Sequence, residues 1–127
     1  MNKEIINTTK APDPIGPYSQ SVKAAGLLFI SGQVALKPGS SMLITSSISE
    51  ETEQVMNNLQ AILAASGLGF EHVVKTTIFL TDMSLFGPVN EVYGRFFKSG
   101  FPARETVAVK GLPKDAHVEI SMIAATE

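Results

Sequence analysis

The sequence predicts a single α+β domain, with two helices packed on one face of a six-stranded sheet. Strand-like and helix-like segments follow one another in the order β-β-β-α-β-α-β-β, which is typical of this class. The 127 residues are enough for one domain and its core, and 44% of them are hydrophobic. The 10 glycines and 7 prolines are spread along the chain, which excludes collagen-like and low-complexity proteins. We therefore treat residues 1–127 as one domain.

The first part of the chain predicts three strands and one stiff loop. Residues 3–7 are typical of a short strand, and residues 21–25 and 27–31 flank a glycine as the two strands of a hairpin. Residues 8–20 contain three prolines and Gly16, which exclude regular structure there.

A first helix follows a loop at residues 37–41. Ser47 and Glu50 have the spacing of a capping box, in which each side chain satisfies a backbone amide at the start of a helix. Gly67 supplies the end of the helix. Between Ser47 and Gly67, apolar residues recur at helical spacing, at Val55, Met56, Leu59, Ile62 and Leu63.

The second part predicts a strand, a helix and two further strands. Residues 73–80 form a β-branched run typical of a buried strand, and strands at 105–110 and 117–124 close the chain. Pro88 fits only the first turn of the intervening helix, which we expect to end near residues 98–100. The apolar stripe of that helix comprises Phe86, Val89, Tyr93, Phe96 and Phe97.

Both faces of the predicted sheet carry apolar side chains, but two helices cover only one. Val107 and Val109 point to one side of their strand, and Thr106 and Ala108 point to the other. The charged fraction is 17%, against about 25% in an average soluble domain. Either a loop or a second subunit must cover the remaining face, and the low charge favours a subunit. The sequence therefore predicts an oligomer.

Charge and composition exclude several classes of function. The net charge is −2 and the lysines are dispersed, which does not fit a nucleic-acid-binding protein. The chain has no cysteine, and His72 and His117, in strand-like segments, lack metal-ligand spacing, so we expect no metal site. No leader is evident, and the longest apolar run, residues 24–30, is too short to cross a bilayer. We expect a cytoplasmic protein without membrane contact.

Two charged residues are candidates for chemistry. Arg104 precedes a predicted strand, where it either forms a surface ion pair, for example with Glu105, or presents a fork to a planar carboxylate. Glu119 is alone among apolar neighbours, and alternation places it on the face opposite Val118 and Ile120. It either lies on the solvated face of an edge strand or has a chemical role.

The proline-rich loop is a third candidate. Its prolines hold Tyr18 in place, either to position the phenol in a site or to seal an edge of the core.

These features occur together with an ordered set of motifs. They are Ala-Pro-x-x-Ile-Gly-Pro-Tyr-Ser-Gln at 11–20, Ser-Gly-Gln at 31–33, Val-Asn-Glu-Val-Tyr at 89–93 with Phe96-Phe97, Pro-Ala-Arg at 102–104, and Leu112-Pro113 running into Val-Glu-Ile at 118–120. The whole chain resembles the Rid family of reactive-intermediate deaminases, also called YjgF-like or L-PSP. It is most similar to the RidA-type 2-iminobutanoate/2-iminopropanoate deaminases, in which the Arg and the Glu occur together.

The resemblance implies a chorismate-mutase-like fold with a mixed six-stranded sheet, assembled as a homotrimer with clefts between subunits. It implies hydrolysis of imines and enamines such as 2-aminoacrylate, released by pyridoxal-phosphate-dependent Ser/Thr dehydratases, to 2-keto acids and ammonia. No cofactor is implied. Arg104 would grip the substrate carboxylate, and Glu119 would orient or activate water. The remaining pocket residues would be Tyr18, Ser31, Gly32, Asn90 and Thr106.

Two positions depart from the family pattern. Thr106 replaces a frequent Cys, which affects pocket shape and sensitivity to oxidation, and Ser46-Ser47 replaces a common Gly-Asp before the first helix. Three other functions remain as alternatives: a non-catalytic sensor of keto acids, a ribonuclease or translation inhibitor, and a chaperone-like interaction protein. The acidic isoelectric point, about 5.7, argues against the ribonuclease.

Overall fold

The computed structural model describes residues 2–127 and contains six strands and two α-helices in the predicted order. The strands are β1 Glu4–Ile6, β2 Ser21–Ala24, β3 Leu27–Gln33, β4 Val73–Leu80, β5 Ala103–Ala108 and β6 Val118–Ala125. The helices are α1 Ile48–Ala65 and α2 Phe86–Gly94. Met1, which the predicted domain includes, lies outside the described residues. Short 3₁₀ turns precede β4, α2 and β6, at Phe70–His72, Met83–Leu85 and Pro113–Asp115.

The six strands form one mixed sheet in the order β1-β2-β3-β6-β4-β5. Only β4 and β5 run parallel, and each of the other neighbouring pairs is antiparallel. β6 is hydrogen-bonded to β3 on one side and to β4 on the other. The alternative that Glu119 lies on an edge strand is therefore wrong.

A bulge interrupts the pairing of β3 with β6. Ile30 pairs with Met122 and Gln33 pairs with Ile120, so β3 has one residue more than β6 in this interval. The extra residue falls at Ser31-Gly32. A bulge bends its strand and changes the direction of nearby side chains, and bulges are frequent beside functional sites.

Helix α1 begins at the predicted cap, but only half of the capping box forms. The Ser47 hydroxyl accepts a hydrogen bond from the Glu50 amide at 3.1 Å. The Glu50 carboxylate bonds to the Ser46 hydroxyl instead of turning back to the Ser47 amide. The helix ends at Ala65, and Gly67 takes a φ of 71° just beyond it, a conformation that favours glycine.

Helix α2 is shorter than the aromatic stripe predicts. It ends at Gly94, and Phe96 and Phe97 lie in a tighter turn that bonds to the carbonyls of Tyr93 and Gly94. Both rings still pack against Phe70, so they serve the core without being helical. Pro88 stands in the first turn, as predicted.

The predicted core is confirmed: all five apolar positions on α1 are completely buried. Both helices lie on one face of the sheet, here called the helix face. The buried residues of β4 and β6 alternate with partly exposed ones. Those on the helix face include Thr76, Ile78, Leu80, Ile120 and Met122.

The opposite face of the sheet, here called the open face, is uncovered in the chain. Ile5, Phe29 and Val107 lie on it and are 53%, 42% and 42% exposed. The alternative that a loop covers this face is therefore wrong for these positions. Coverage by a second subunit, with Val107 and Val109 buried, stays a prediction.

Three further boundaries and placements differ from expectation. β5 begins at Ala103, two residues before the predicted start, because it pairs with β4 from Lys75 onward. His72 lies in a 3₁₀ turn, not in a strand, and its ring accepts a hydrogen bond from the Gly69 amide. His117 directly precedes β6. Within residues 2–127, no helix has the length and apolar character needed to cross a membrane.

Candidate functional site

Glu119 projects from the centre of the sheet onto the open face. Strand pairing aligns it with Phe79 of β4, while its neighbours Val118 and Ile120 are buried under the helices, as alternation predicts. The side chain is half-buried, and this burial raises the pKa of the Glu119 carboxyl above its ordinary value. A carboxylate with a raised pKa is a better proton acceptor.

The carboxylate lies directly against Gly32 in the bulge of β3. A Cβ atom at Gly32 would come within 2.5 Å of Glu119 Oε2. A side chain at position 32 would therefore force the Glu119 carboxylate to move, so the glycine makes room for the acid.

A cavity of about 430 Å³ opens in front of Glu119, here called the Glu119 pocket. Its walls are mainly apolar, and this burial is what raises the pKa of the Glu119 carboxyl. With Glu119, the residues that line it are Ile15, Tyr18, Ser31, Gly32, Val34, Leu36, Pro113 and Lys114.

The proline-rich loop places Tyr18 in this pocket. The phenol oxygen accepts a hydrogen bond from the Ile15 amide at 3.2 Å, and the Tyr18 amide donates to the Gly16 carbonyl at 2.9 Å. Tyr18 is 49% exposed, so it does not seal the core. Ser31 fastens the loop to β3, because its hydroxyl donates to the Ser19 carbonyl at 2.6 Å.

Arg104 lies in β5, aligned with the buried Thr76 of β4, and therefore on the helix face. Its guanidinium carbon lies 5.1 Å from the centre of the Tyr93 ring and 5.7 Å from that of Phe86. Aromatic faces attract a guanidinium and hold it in a fixed plane. Tyr93 is itself fixed, because its hydroxyl donates to Thr76 Oγ1 at 3.0 Å. Burial raises the pKa of this phenol, which stays neutral.

The surface ion pair with Glu105 does not form. Glu105 points to the other side of β5, where it pairs with Lys75 at 3.0 Å and bonds to Thr77. Within residues 2–127, no carboxylate lies within ion-pair distance of Arg104. Its charge is therefore available to an external anion.

Arg104 opens into a second cavity of about 400 Å³, here called the Arg104 pocket. It shares no lining residue with the Glu119 pocket. Its other lining residues are Asn90, Tyr93, Gly94, Phe101 and Pro102. In one chain, the two candidate catalytic residues thus lie on opposite faces of the sheet and in separate cavities.

The sequence of the chain matches a known protein family over almost its whole length. The family described as Endoribonuclease L-PSP matches residues 8–126. The chain belongs to this family, the Rid family.

The relatives of this Rid chain carry more than one name. The protein DfrA of Myxococcus xanthus is 48% identical, over 99% of this chain and 98% of its own length. The 2-iminobutanoate/2-iminopropanoate deaminase of Mus musculus is 48% identical, over 96% of this chain and 90% of its own. A solved structure of the conserved Rid protein family from Yersinia pestis superposes with a TM-score of 0.95 at 43% identity, covering 98% of this chain and 99% of that one.

The structure divides the predicted Rid site residues into two groups. Tyr18, Ser31 and Gly32 join Glu119, and Asn90 joins Arg104. Thr106 lines neither cavity. It lies beside Ile78 on the helix face, and its hydroxyl is buried without a hydrogen-bond partner. Its assignment to substrate binding stays a prediction.

The sequence analysis gave three residues around the two cavities no role in the predicted Rid site. Tyr93 and Phe86 fit the apolar stripe of α2, yet their rings support Arg104. Lys114 appears as an ordinary loop lysine. Its φ of 58° is rare for a residue with a side chain. The sequence gives no sign of this conformation, which belongs to the loop that lines the Glu119 pocket.

Proposed function

We propose that this Rid chain hydrolyses 2-imino acids and their enamine tautomers to 2-keto acids and ammonia. We further propose that it needs no cofactor, and that each site is shared between neighbouring subunits of a homotrimer. The observation that carries the proposal is Glu119, a half-buried carboxylate with a raised pKa against Gly32 in a mainly apolar pocket. Such an acid suits proton transfer to and from one water molecule.

The substrate class follows from Arg104. A 2-imino acid carries a carboxylate beside the reacting C=N carbon, and a guanidinium without an ion-pair partner matches that group with two parallel hydrogen bonds. The Tyr93 and Phe86 rings hold the guanidinium in place. Binding the carboxylate therefore fixes the position of the adjacent carbon.

The reaction then needs one water and one proton acceptor. Glu119 takes a proton from water as the oxygen attacks the C=N carbon and passes this proton to the nitrogen, which gives a carbinolamine with an NH₂ group. Glu119 then takes the proton of the carbinolamine hydroxyl and gives it to the nitrogen as the C–N bond breaks, which releases ammonia and leaves a C=O group. Imines are reactive toward water, so orientation and proton transfer are sufficient.

The shared site follows from the placement of the two residues. Arg104 and Glu119 lie on opposite faces of one sheet, so one chain cannot present both to one small substrate. The open face exposes Phe29 and Val107 beside the Glu119 row, which favours coverage by another subunit. A cyclic trimer brings the Arg104 pocket of one subunit against the Glu119 pocket of the next.

The remaining Rid positions receive supporting roles. Tyr18 and Ser31 shape the water side of the cleft, and Gly32 leaves room for Glu119. Asn90 lies beside Arg104 and supplies an amide to the substrate. Thr106 is assigned to substrate binding on the resemblance alone, because its buried hydroxyl lines neither cavity.

The direct test is a coupled assay. A pyridoxal-phosphate-dependent Ser/Thr dehydratase releases the imine, semicarbazide traps what remains free, and added protein should reduce the trapped product. An unchanged yield of trapped product, corrected for spontaneous hydrolysis, would refute deaminase activity and leave keto-acid sensing as the better hypothesis.

Mixing subunits tests the shared site. Arg104→Ala and Glu119→Gln chains are each defective, but a mixed trimer contains one interface with both residues intact. Random 1:1 assembly after refolding should regain about one quarter of wild-type activity, because about one quarter of all interfaces then join an intact Arg104 to an intact Glu119. A site within one chain would regain nothing on mixing.

A further inference from the structure

Three irregular segments form most of the wall around Glu119, here called the wall segments. They are residues 11–20, 34–36 and 113–117. Each is bound by one polar side chain that is almost completely buried. These side chains, each 1% exposed, are Gln20, Asn58 and Glu51.

Gln20, the last residue of the first wall segment, binds the start of that segment and Thr8 just before it. Its carbonyl oxygen accepts from the Thr8 amide at 2.8 Å, and its amide group donates to the Thr8 and Pro12 carbonyls at 3.0 and 2.9 Å. Prolines lack an N–H group, so this segment cannot form a backbone ladder of its own. The Gln20 side chain therefore supplies hydrogen bonds at the start of the segment, where the contacts of Tyr18 and Ser31 do not reach.

Asn58 binds the second wall segment from the middle of α1. Its amide group donates to the Leu36 carbonyl at 2.9 Å and to the Val34 carbonyl at 3.2 Å. The Val34 and Leu36 side chains line the Glu119 pocket. The Asn58 oxygen is in turn held by Gln54, at 2.9 Å.

Glu51 binds the third wall segment from the first turn of α1. One carboxylate oxygen accepts from the His117 amide at 2.7 Å, and the other lies 2.8 Å from Nδ1 of the same residue. Just before His117, Lys114 and Asp115 take φ values of 58° and 57°. Two successive residues in this conformation are unfavourable unless their surroundings hold them.

We propose that Gln20, Asn58 and Glu51 are positioning residues, which hold the three wall segments so that the Glu119 carboxylate keeps its half-buried orientation. The proposal rests on the proposed function of Glu119. It is based on the partners to which these three side chains are hydrogen-bonded. The hydrogen bonds reach the backbone of irregular segments that converge at one pocket, not the helices and strands that form the core.

Thr52 provides the contrast. It is also buried on α1, one residue after Glu51, but its hydroxyl donates to the Ile48 carbonyl of its own helix at 2.8 Å. Loss of this hydroxyl should lower stability without moving any wall segment. Thr52→Val is therefore the matched control.

Loosened walls should admit water to Glu119. The titratable groups that face the carboxylate within the pocket are Tyr18 and Lys114, and neither accounts for its raised pKa, which arises from burial. Hydration would therefore move the pKa of Glu119 down toward its ordinary value.

The experiment compares Glu51→Met, Asn58→Leu and Gln20→Met with Thr52→Val. Two quantities are measured on the assembled protein: kcat and KM for 2-iminobutanoate, and the pKa of Glu119 by NMR of its ¹³C-labelled carboxyl carbon. We expect each wall variant to lower kcat about 10- to 100-fold. KM should change little, because the carboxylate is bound by Arg104 of a neighbouring subunit, which stands on β5 and not on a wall segment. The pKa should fall in the wall variants only.

Glu51→Gln tests the same contact conservatively. The glutamine oxygen can accept from the His117 amide, and its NH₂ can donate to a neutral Nδ1, so both contacts persist. It should restore most of kcat and the raised pKa. If Glu51→Met fails to fold, His117→Ala replaces it, because that side chain is 50% exposed.

The outcomes separate the two proposals. Wall variants that lose stability as Thr52→Val does, yet keep the Glu119 pKa and kcat, would overturn the positioning role. If the wild-type protein has no deaminase activity, the proposed function fails, but the NMR titration still decides whether these side chains keep Glu119 buried.

Discussion

The two halves of the candidate site are built in different ways. Arg104 stands on regular structure, with β5 beneath it and two aromatic rings of α2 beside its guanidinium. Glu119 also stands on a strand, but its pocket is made of loops and a bulge that buried polar side chains hold in place.

This difference matches the demands of the two tasks that we propose for them. Binding a carboxylate needs a fixed charge, which an aromatic support supplies at low cost in conformational freedom. Proton transfer needs a carboxyl group with a tuned pKa, which depends on how much water reaches it, and we propose that the wall segments limit this access. The Arg104 half should therefore govern affinity and the Glu119 half should govern turnover.

The largest expected effect is on turnover. Glu119→Gln keeps the size and hydrogen-bonding reach of the side chain but removes the proton acceptor. We expect kcat to fall by about 10²–10⁴, the range for general acid–base catalysis. Affinity for pyruvate, measured by calorimetry, should change little because Arg104 remains. An unchanged kcat would remove Glu119 from the mechanism and would contradict the assignment of affinity to the Arg104 half and turnover to the Glu119 half.

Arg104→Ala tests the other half. Loss of charge-assisted hydrogen bonds of about 1.5–3 kcal/mol should lower kcat/KM roughly 10- to 150-fold. Arg104→Lys should restore little, because a point charge lacks the guanidinium fork. Light scattering should show an intact trimer for both variants. A near-normal kcat/KM in Arg104→Ala would place the carboxylate elsewhere.

A smaller effect should follow from removing part of the aromatic support. Phe86→Leu keeps an apolar side chain but loses the ring face, which contributes about 0.5–1 kcal/mol to an exposed cation–π contact. KM for the imine should therefore rise roughly 2- to 5-fold, with kcat nearly unchanged. A drop in kcat with constant KM would contradict the division between the two halves.

The smallest expected effect is on stability. Because folding raises the pKa of Glu119, the protonated carboxyl favours the fold, and this contribution is lost as pH rises through the folded-state pKa. At pH 7 the free energy of unfolding of Glu119→Gln should therefore exceed that of the unchanged protein by about 1 kcal/mol or less, since the carboxyl group is only half-buried. Below the ordinary pKa of 4.5, urea unfolding should show no such gain. A gain that persists at low pH would point to a cause other than ionisation.

The fall of kcat at low pH, the acid limb of the pH profile, should also arise from the raised pKa of Glu119. In the complex with substrate, kcat should fall as pH is lowered through the raised pKa of Glu119, because the base becomes protonated. A pH profile of kcat measures this limb directly. A limb at the ordinary carboxyl pKa would show that the pocket is more hydrated than the structure implies.

Local patterns were sufficient for much of the fold. The bounds of β4 and the buried face of α1 follow from β-branched content and helical spacing, which act over a few residues. The end of α2 does not, because the Phe96-Phe97 stripe fits either a helix or a turn. The start of β5 depends on parallel pairing with β4, a contact between distant parts of the chain.

The candidate site was predictable to a similar degree. Alternation alone predicted the side of the sheet on which Glu119 lies, and the prolines indicated that Tyr18 is held in place. The spacing gave no sign of Glu51 and Asn58, because polar residues on a helix are usually solvated, and only tertiary packing buries them.

Gly32 gives this chain a position at which fold and function should separate under mutation. Its φ is not in the left-handed region, so its backbone accepts any residue, and only the Glu119 carboxylate occupies the space of a side chain. A carboxylate at the end of a flexible side chain can move aside, so even alanine should fold and yet displace the acid. Among random variants, those at position 32 should be well expressed and inactive, a combination that stability-based selection would not remove.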